Sequence, residues 1–158
     1  MVVCMVTGEK LEVVLAVRID NMKYYTDGFL VGPNPSKYGG YVIANELNEV
    51  IEETWLEQDK VTNNDAEIQG LISCLELSKE GDEISTDSMV ALTWVRGGKS
   101  KSRPDLNSQL QKAKILLAEK GVNIMWEGRD FNLAGIYIDK EHSRLDKEAG
   151  EMECDILN

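Results

Sequence analysis

Met22-Lys23-Tyr24-Tyr25-Thr26-Asp27-Gly28-Phe29-Leu30-Val31 is the stretch from which the fold can be read. Its aromatic and apolar residues favour an extended chain, and the run stops at Gly32-Pro33-Asn34-Pro35, residues that break regular structure. A strand followed by a loop is the consequence. Residues 38–45 and 49–56 read as two more strands about a Glu46-Leu47-Asn48 connection, with Val50 and Trp55 assigned to buried positions. Connections this short make the three strands an antiparallel meander.

The pattern changes at Thr62. Thr62, Asn63 and Asn64 are good helix-start residues, and Ala66, Leu71, Cys74, Leu75 and Leu77 then recur at helical spacing as far as Gly81. Residues 83–86 form a short strand candidate, and Ser88 can cap a helix carrying Val90, Ala91, Trp94 and Val95 that ends at Gly97-Gly98. Asp105, after Pro104, starts a further helix that Gly121 terminates, and residues 122–126 return as a strand. From Asn132 to about Glu151 the pattern is helical again. Three strands, helix, strand, two helices, strand, helix make an α/β fold: a mixed five-stranded sheet, three strands antiparallel and two added in parallel, flanked by helices. Residues 1–21 stand apart as an N-terminal extension with a possible hairpin formed by 1–8 and 11–20. Residues 22–152 are the domain, and 153–158 a C-terminal tail.

At 158 residues, 42% hydrophobic and 28% charged, the chain has the size and composition of one soluble domain with one filled core. Cys4, Cys74 and Cys154 are odd in number and lack metal-ligand spacing, so they read as reduced thiols in a cytoplasm, with Cys74 in the core. No apolar run is long enough for a membrane span, and a cytoplasmic monomer is the expectation. A net charge of −11 opposes general binding of polyanions. Enzymes that hold divalent cations on clustered acids are the physical exception, because the bound ions invert the local field. Arg96, Lys99, Lys101, Arg103, Lys112 and Lys114 also form a local concentration of positive charge that could hold phosphates.

Four segments carry acids at strand ends or on helices: Tyr25-Thr26-Asp27-Gly28, Thr62-Asn63-Asn64-Asp65-Ala66-Glu67, Ser85-Thr86-Asp87-Ser88 and the stretch from Arg129 to Ala149. With Tyr38-Gly39-Gly40-Tyr41 on the second strand, they resemble the type 1 ribonuclease H family of the ribonuclease H-like superfamily, in order and in structural position, from about Tyr24 to Ala149. The resemblance implies a metal-dependent endonuclease that cuts the RNA strand of an RNA/DNA hybrid. Two Mg²⁺ or Mn²⁺ ions would activate a water and stabilise the charge on the attacking and leaving oxygens, and such ions want hard carboxylate ligands on rigid elements. On this resemblance Asp27 would bridge both ions, Glu67 and Asp87 would ligate one, and a fourth acid would hold the other. Gly28, Asn63, Asn64, Ser88 and Arg129 are the candidate substrate contacts, with Asn63 and Asn64 placed to read the 2′-hydroxyl.

Two residues compete for the fourth position. Glu141-His142-Ser143-Arg144-Leu145-Asp146-Lys147-Glu148-Ala149 is similar to the family's last helix and favours Asp146, whereas Arg129-Asp130-Phe131-Asn132-Leu133-Ala134-Gly135 is similar to the short loop by which some relatives enter that helix. With Asn132 as the cap, Asp139 lies about 10 Å into the helix and Asp146 about 10 Å further, too far to share an ion. A helix beginning near Asp139 reverses the choice. Relatives that carry a histidine after the last strand differ from this chain, which has Gly128, Arg129 and Asp130 there. His142 reads as a solvated helix position. Phe29 and Met89 stand where relatives carry small or polar residues near the hybrid. Other readings remain: a catalytically weak module that binds nucleic acid or protein, or a superfamily nuclease acting on structured DNA.

Overall fold

A computed structural model describes residues 2–3, 16–17 and 21–157. At the N-terminus β1 (Val2–Val3) pairs antiparallel with β2 (Ala16–Val17), Val2 opposite Val17, in a sheet of its own. The rest of the hairpin expected within residues 1–21 lies outside the described residues.

The main sheet contains β3 (Lys23–Val31), β4 (Tyr38–Asn45), β5 (Val50–Trp55), β6 (Glu83–Thr86) and β7 (Asn123–Trp126), in the spatial order β5-β4-β3-β6-β7. The pairs β3–β4 and β4–β5 are antiparallel, and β3–β6 and β6–β7 are parallel. The mixed five-stranded sheet expected from the sequence is therefore present, with β3 between the antiparallel and parallel halves.

Strand alternation distributes the core between two faces. On one, Tyr41 and Ile43 of β4 join Ile84 and Ile124 against α1 (Asn63–Leu77), α2 (Met89–Gly97) and α3 (Asn107–Lys120), which contribute Ile68, Leu71, Leu75, Val95 and Leu110. On the other, Val42 and Ala44 meet Phe29, Ala134, Ile138 and Leu145. Buried on both sides, β4 carries no charge, as a covered strand should. Phe29, expected near a substrate, stacks edge-on against Trp55 with ring centroids 5.0 Å apart.

Helix α1 starts on a complete capping box: the Thr62 side chain accepts from the Asp65 backbone while the Asp65 carboxylate accepts from Thr62 N–H. At its far end the Lys120 ammonium donates to the Leu75, Glu76 and Ser78 carbonyls, satisfying acceptors that a helix terminus leaves open.

Four sequence expectations are corrected. Val50 is 40% exposed, because β5 is the sheet edge and the ladder shifts register between Ile43 and Ala44. Asp105 falls in a 3-10 turn, Pro104–Leu106, and α3 begins at Asn107, whose side chain accepts from Ser100 N–H. The last helical stretch is two helices, α4 (Leu133–Lys140) and α5 (His142–Leu157), which break at Glu141 with φ −93° and ψ 5°. The tail at 153–158 belongs to α5 as far as Leu157, with Tyr38 donating to Glu153. Among the described residues no helix is long and apolar enough to cross a membrane.

Candidate metal and nucleic-acid site

Strand register places the first two acids. Thr26 of β3 lies opposite Thr86 of β6 in the parallel ladder, so the next residues, Asp27 and Asp87, emerge side by side. Helix α1 supplies the third. It can lie directly on β3 because Gly28 has no side chain: a Cβ there would stand 2.7 Å from Ala66 Cβ and 2.9 Å from Glu67 N. Carboxylate oxygens of Asp27, Glu67 and Asp87 consequently fall within 4.8 Å of one another.

This grouping is costly without a cation. Asp27 has no exposed surface, and Glu67 and Asp87 are half-buried. Burial, with the Asp87 charge adding to it, pushes the Asp27 carboxyl up to about 6. Burial and the neighbouring Asp27 charge push Glu67 well above the ordinary carboxylate range. Asp27 Oδ1, Glu67 Oε2 and Asp87 Oδ2 are buried and accept no hydrogen bond among the described residues. Three hard carboxylate oxygens, converging and accepting no hydrogen bond, suit a divalent cation with a preference for oxygen, such as Mg²⁺ or Mn²⁺.

The opposite wall is built by α4 and the turn before it. Asn132 is fully buried, accepts from Ala134 and Gly135 N–H as the cap of α4, and donates to the Thr26 carbonyl at 3.0 Å. One side chain thus starts the helix and fastens it to β3 beside Asp27. Gly135 follows on the first turn, and a Cβ at that position would approach Asp27 Oδ2 to 2.8 Å. Arg129, in the 3-10 turn Arg129–Phe131, reaches over this contact. Its Nη1 donates to Asp27 Oδ2 at 2.8 Å and lies 3.6 Å from Asp87 Oδ2, while Nη2 donates to Asp139 Oδ1 at 3.1 Å.

The two candidates for the fourth acid are placed differently. Asp139 lines the same open cleft of about 520 Å³ as Glu67, Asp87 and Arg129, although its side chain is 67% exposed and outside the three-acid group. Asp146 does not line the cleft. It sits on α5, where His142 Nε2 lies 3.4 Å from its Oδ2, because the break at Glu141 starts a new helix before it. Asp146 as a metal ligand is therefore not supported by its position. His142 is exposed, as its sequence context suggested, yet it borders the cleft.

Of the candidate substrate contacts, Gly28, Asn63, Asn64, Ser88 and Arg129 all line that cleft. The Ser88 hydroxyl is also the α2 cap, accepting from Ala91 N–H. The basic segment is less available than its composition suggests. Arg96, though exposed, donates to the Ile124 carbonyl, and Arg103 is held by Asp65 at 2.7 Å and Asp105 at 2.9 Å, which leaves Lys99, Lys101, Lys112 and Lys114 as its exposed charges without such a tie. Sequence reading saw Asn132 as a cap but missed its tie to Thr26, and it missed Trp126, whose indole N–H donates to the Asp87 carbonyl at 3.1 Å. No local signal marks either bond, since both depend on strands far apart in the chain.

Comparison with known proteins gives a consistent result. The sequence pattern of the RNase H family matches residues 20–128, more than half of the chain. No curated relative matches. Among solved structures, the N-terminal RNase H domain of a Mycobacterium tuberculosis protein, fused to maltose binding protein, is 24% identical with a TM-score of 0.61, covering 84% of this chain and 98% of that one. RNase H1 from the halophilic archaeon Halobacterium salinarum NRC-1 is 25% identical with a TM-score of 0.55, covering 72% and 90%. LC11-RNase H1, solved in complex with an RNA/DNA hybrid, is 24% identical with a TM-score of 0.52, covering 70% and 88%.

Proposed function

The chain belongs to the RNase H family, and from that premise we propose that it is a metal-dependent endonuclease hydrolysing the RNA strand of RNA/DNA hybrids. The observation that carries this reading is the trio Asp27, Glu67 and Asp87, converged within 4.8 Å with one buried oxygen on each that accepts no hydrogen bond among the described residues. These three residues would hold the catalytic divalent cation. When bound, Mg²⁺ or Mn²⁺ would lower the pKa of a coordinated water and neutralise charge developing on the phosphodiester oxygens.

The chain's own groups account for the remaining requirements. Asp27 is immobilised by β3 and by its place beneath α1, so its oxygens are presented without a rotameric search. Asn63 and Asn64, at the start of α1, face the cleft and are placed to donate to sugar hydroxyls, which would favour an RNA strand. Arg129 offers a planar guanidinium half-exposed at the rim, suited to a phosphate. The solved complex of LC11-RNase H1 with a hybrid supports this choice of substrate.

A second reading, a module that binds nucleic acid or protein with little catalysis, draws on one observation: Asp139 stands outside the acidic group, with Arg129 between. One experiment separates the two. Cleavage of a labelled RNA/DNA hybrid, with duplex and branched DNA as controls, is measured with Mg²⁺ or Mn²⁺ for the wild type and Asp87→Asn. The enzyme reading expects hybrid-selective, metal-dependent cutting that falls on the order of a thousandfold in the variant, since a metal site contributes several kcal/mol to the transition state. Absence of metal-dependent cleavage, or equal rates in the two proteins, would sink it.

A further inference from the structure

We propose that Arg129 is the built-in counter-cation of the acidic cluster and competes with a second divalent ion for the Asp27 and Asp139 side of the cleft. The inference rests on reading Asp27, Glu67 and Asp87 as an ion site. Asp27 has two carboxylate oxygens in different surroundings: Oδ1 is buried and unpartnered among the described residues, whereas Oδ2 accepts from Arg129 Nη1 at 2.8 Å. The same guanidinium donates to Asp139 Oδ1 at 3.1 Å through Nη2 and stands 3.6 Å from Asp87 Oδ2. An ion bridging Asp27 Oδ2 and Asp139 would take the place of the guanidinium that bridges these two carboxylates. The two cations repel at such separations, so one excludes the other.

The surroundings favour this occupancy. Gly135 leaves Arg129 Cζ 3.7 Å from where a Cβ would stand and opens Asp27 Oδ2 to the guanidinium, which no larger residue would do without moving the acid. Arg129 carries its charge at any physiological pH, so it neutralises the cluster where a histidine would do so only in part. It is also releasable. Its side chain is 51% exposed, and α4 stays fastened to β3 through Asn132 whether or not Arg129 is engaged. A phosphodiester is the competing anion, because guanidinium binds phosphate through two parallel hydrogen bonds. The free protein thus holds one divalent ion tightly, and the second enters when a substrate phosphate draws Arg129 off Asp27 and Asp139.

The test is a count of bound Mn²⁺ by electron paramagnetic resonance, without nucleic acid, on wild type, Arg129→Gln and Arg129→Lys. The wild type is expected to bind one ion tightly. Arg129→Gln is expected to bind a second at least about tenfold more tightly than the wild type does, the effect a cation exerts on a carboxylate within about 4 to 6 Å. Arg129→Lys, which keeps the charge, should lie between. Competition is reciprocal, so in the wild type the Arg129 Nε–H resonance should shift during a later, weaker phase of a Mg²⁺ titration. This second measurement serves if Arg129→Gln does not fold. Equal ion counts and affinities in wild type and Arg129→Gln, or an Arg129 resonance that stays fixed to saturation, overturns the proposal while leaving the three-acid site intact. Absence of any tight Mn²⁺ in the wild type overturns the ion site and the proposal together.

Discussion

The two walls of the cleft are made by different means. Asp27 and Asp87 follow directly on the last pair, Thr26 with Thr86, of a parallel strand ladder and Glu67 hangs from a helix pressed onto that ladder, so sheet geometry sets their separation. Arg129 and Asp139 stand on a 3-10 turn and a helix of eight residues, and one buried side chain, Asn132, holds that assembly to the sheet. The first wall concentrates negative charge in a buried place and the second brings a cation to it. Rigidity belongs to the acids, adjustability to the groups that answer substrate.

If that contrast is right, the second wall should fail at Asn132. Asn132→Ala removes the α4 cap, worth about 1 kcal/mol, and leaves the buried Thr26 carbonyl without its donor, a further 1 to 3 kcal/mol or so. A loss of about 3 kcal/mol in urea-induced unfolding is expected, together with weaker engagement of Arg129. A loss below about 1 kcal/mol would mean that the packing of Ala134, Ile138 and Leu145, rather than the cap, holds α4 in place.

The same contrast explains which parts of the molecule were legible in the sequence. The sheet wall was, because strand period, a glycine after Asp27 and a capping sequence at Thr62 are all local signals. That Asp27, Glu67 and Asp87 meet at one end of the sheet was implied by the resemblance to the ribonuclease H family, not by these local signals. The helix wall was legible only in part. Asn132 reads as a cap, but the segment Ile136-Tyr137-Ile138-Asp139-Lys140-Glu141-His142-Ser143 contains no proline or glycine to announce the break at Glu141. That break depends on tertiary contacts, among them Arg144 donating to Glu53 of β5, to Glu141 and to Glu148. Val50 was misplaced for a similar reason: alternation says that one face of a strand is covered, not that the strand lies at an edge.

A smaller effect distinguishes the walls by pH. In the metal-free protein Asp27 titrates at about 6 and Glu67 is also raised, against ordinary values of 3.8 and 4.5. Between these ordinary values and about 6 the folded state binds more protons than the unfolded state, so stability falls as pH rises through that window. A loss on the order of 2 kcal/mol from pH 5 to pH 7 is expected in urea titrations with EDTA present. Mg²⁺ should remove most of it, because a bound cation favours the ionised carboxylates and its affinity rises with pH through about 6. Asp65 acts in the opposite sense. Burial works against its charge, but hydrogen bonds from Arg103 and Thr62 hold it below the ordinary value, so its contribution is lost as pH falls beneath about 4. Metal-free stability that rises from pH 5 to pH 7 would contradict the close approach of the three acids.

The smallest effect compares the two acids of the last helical region. Asp139 touches Arg129 from the cleft, whereas Asp146 meets only the exposed His142 among the described residues. Asp139→Asn is expected to lower hybrid cleavage about tenfold, because it releases one of the guanidinium's two directly bonded anchors and removes a charge from the rim, whereas an exposed pair such as His142 with Asp146 contributes at most about 1 kcal/mol. Asp146→Asn should change the rate by no more than about twofold. The comparison is made with kcat and KM measured separately. If Asp139 takes up the second ion once the guanidinium leaves, its substitution should keep its effect in an Arg129→Gln background, whereas an acid acting through Arg129 alone would lose most of it, since neighbouring residues that share one interaction are not additive. Equal losses in the two backgrounds would mean that the helix wall supplies an acid as well as a cation, whereas an effect that vanishes with Arg129 would remove Asp139 from the second ion.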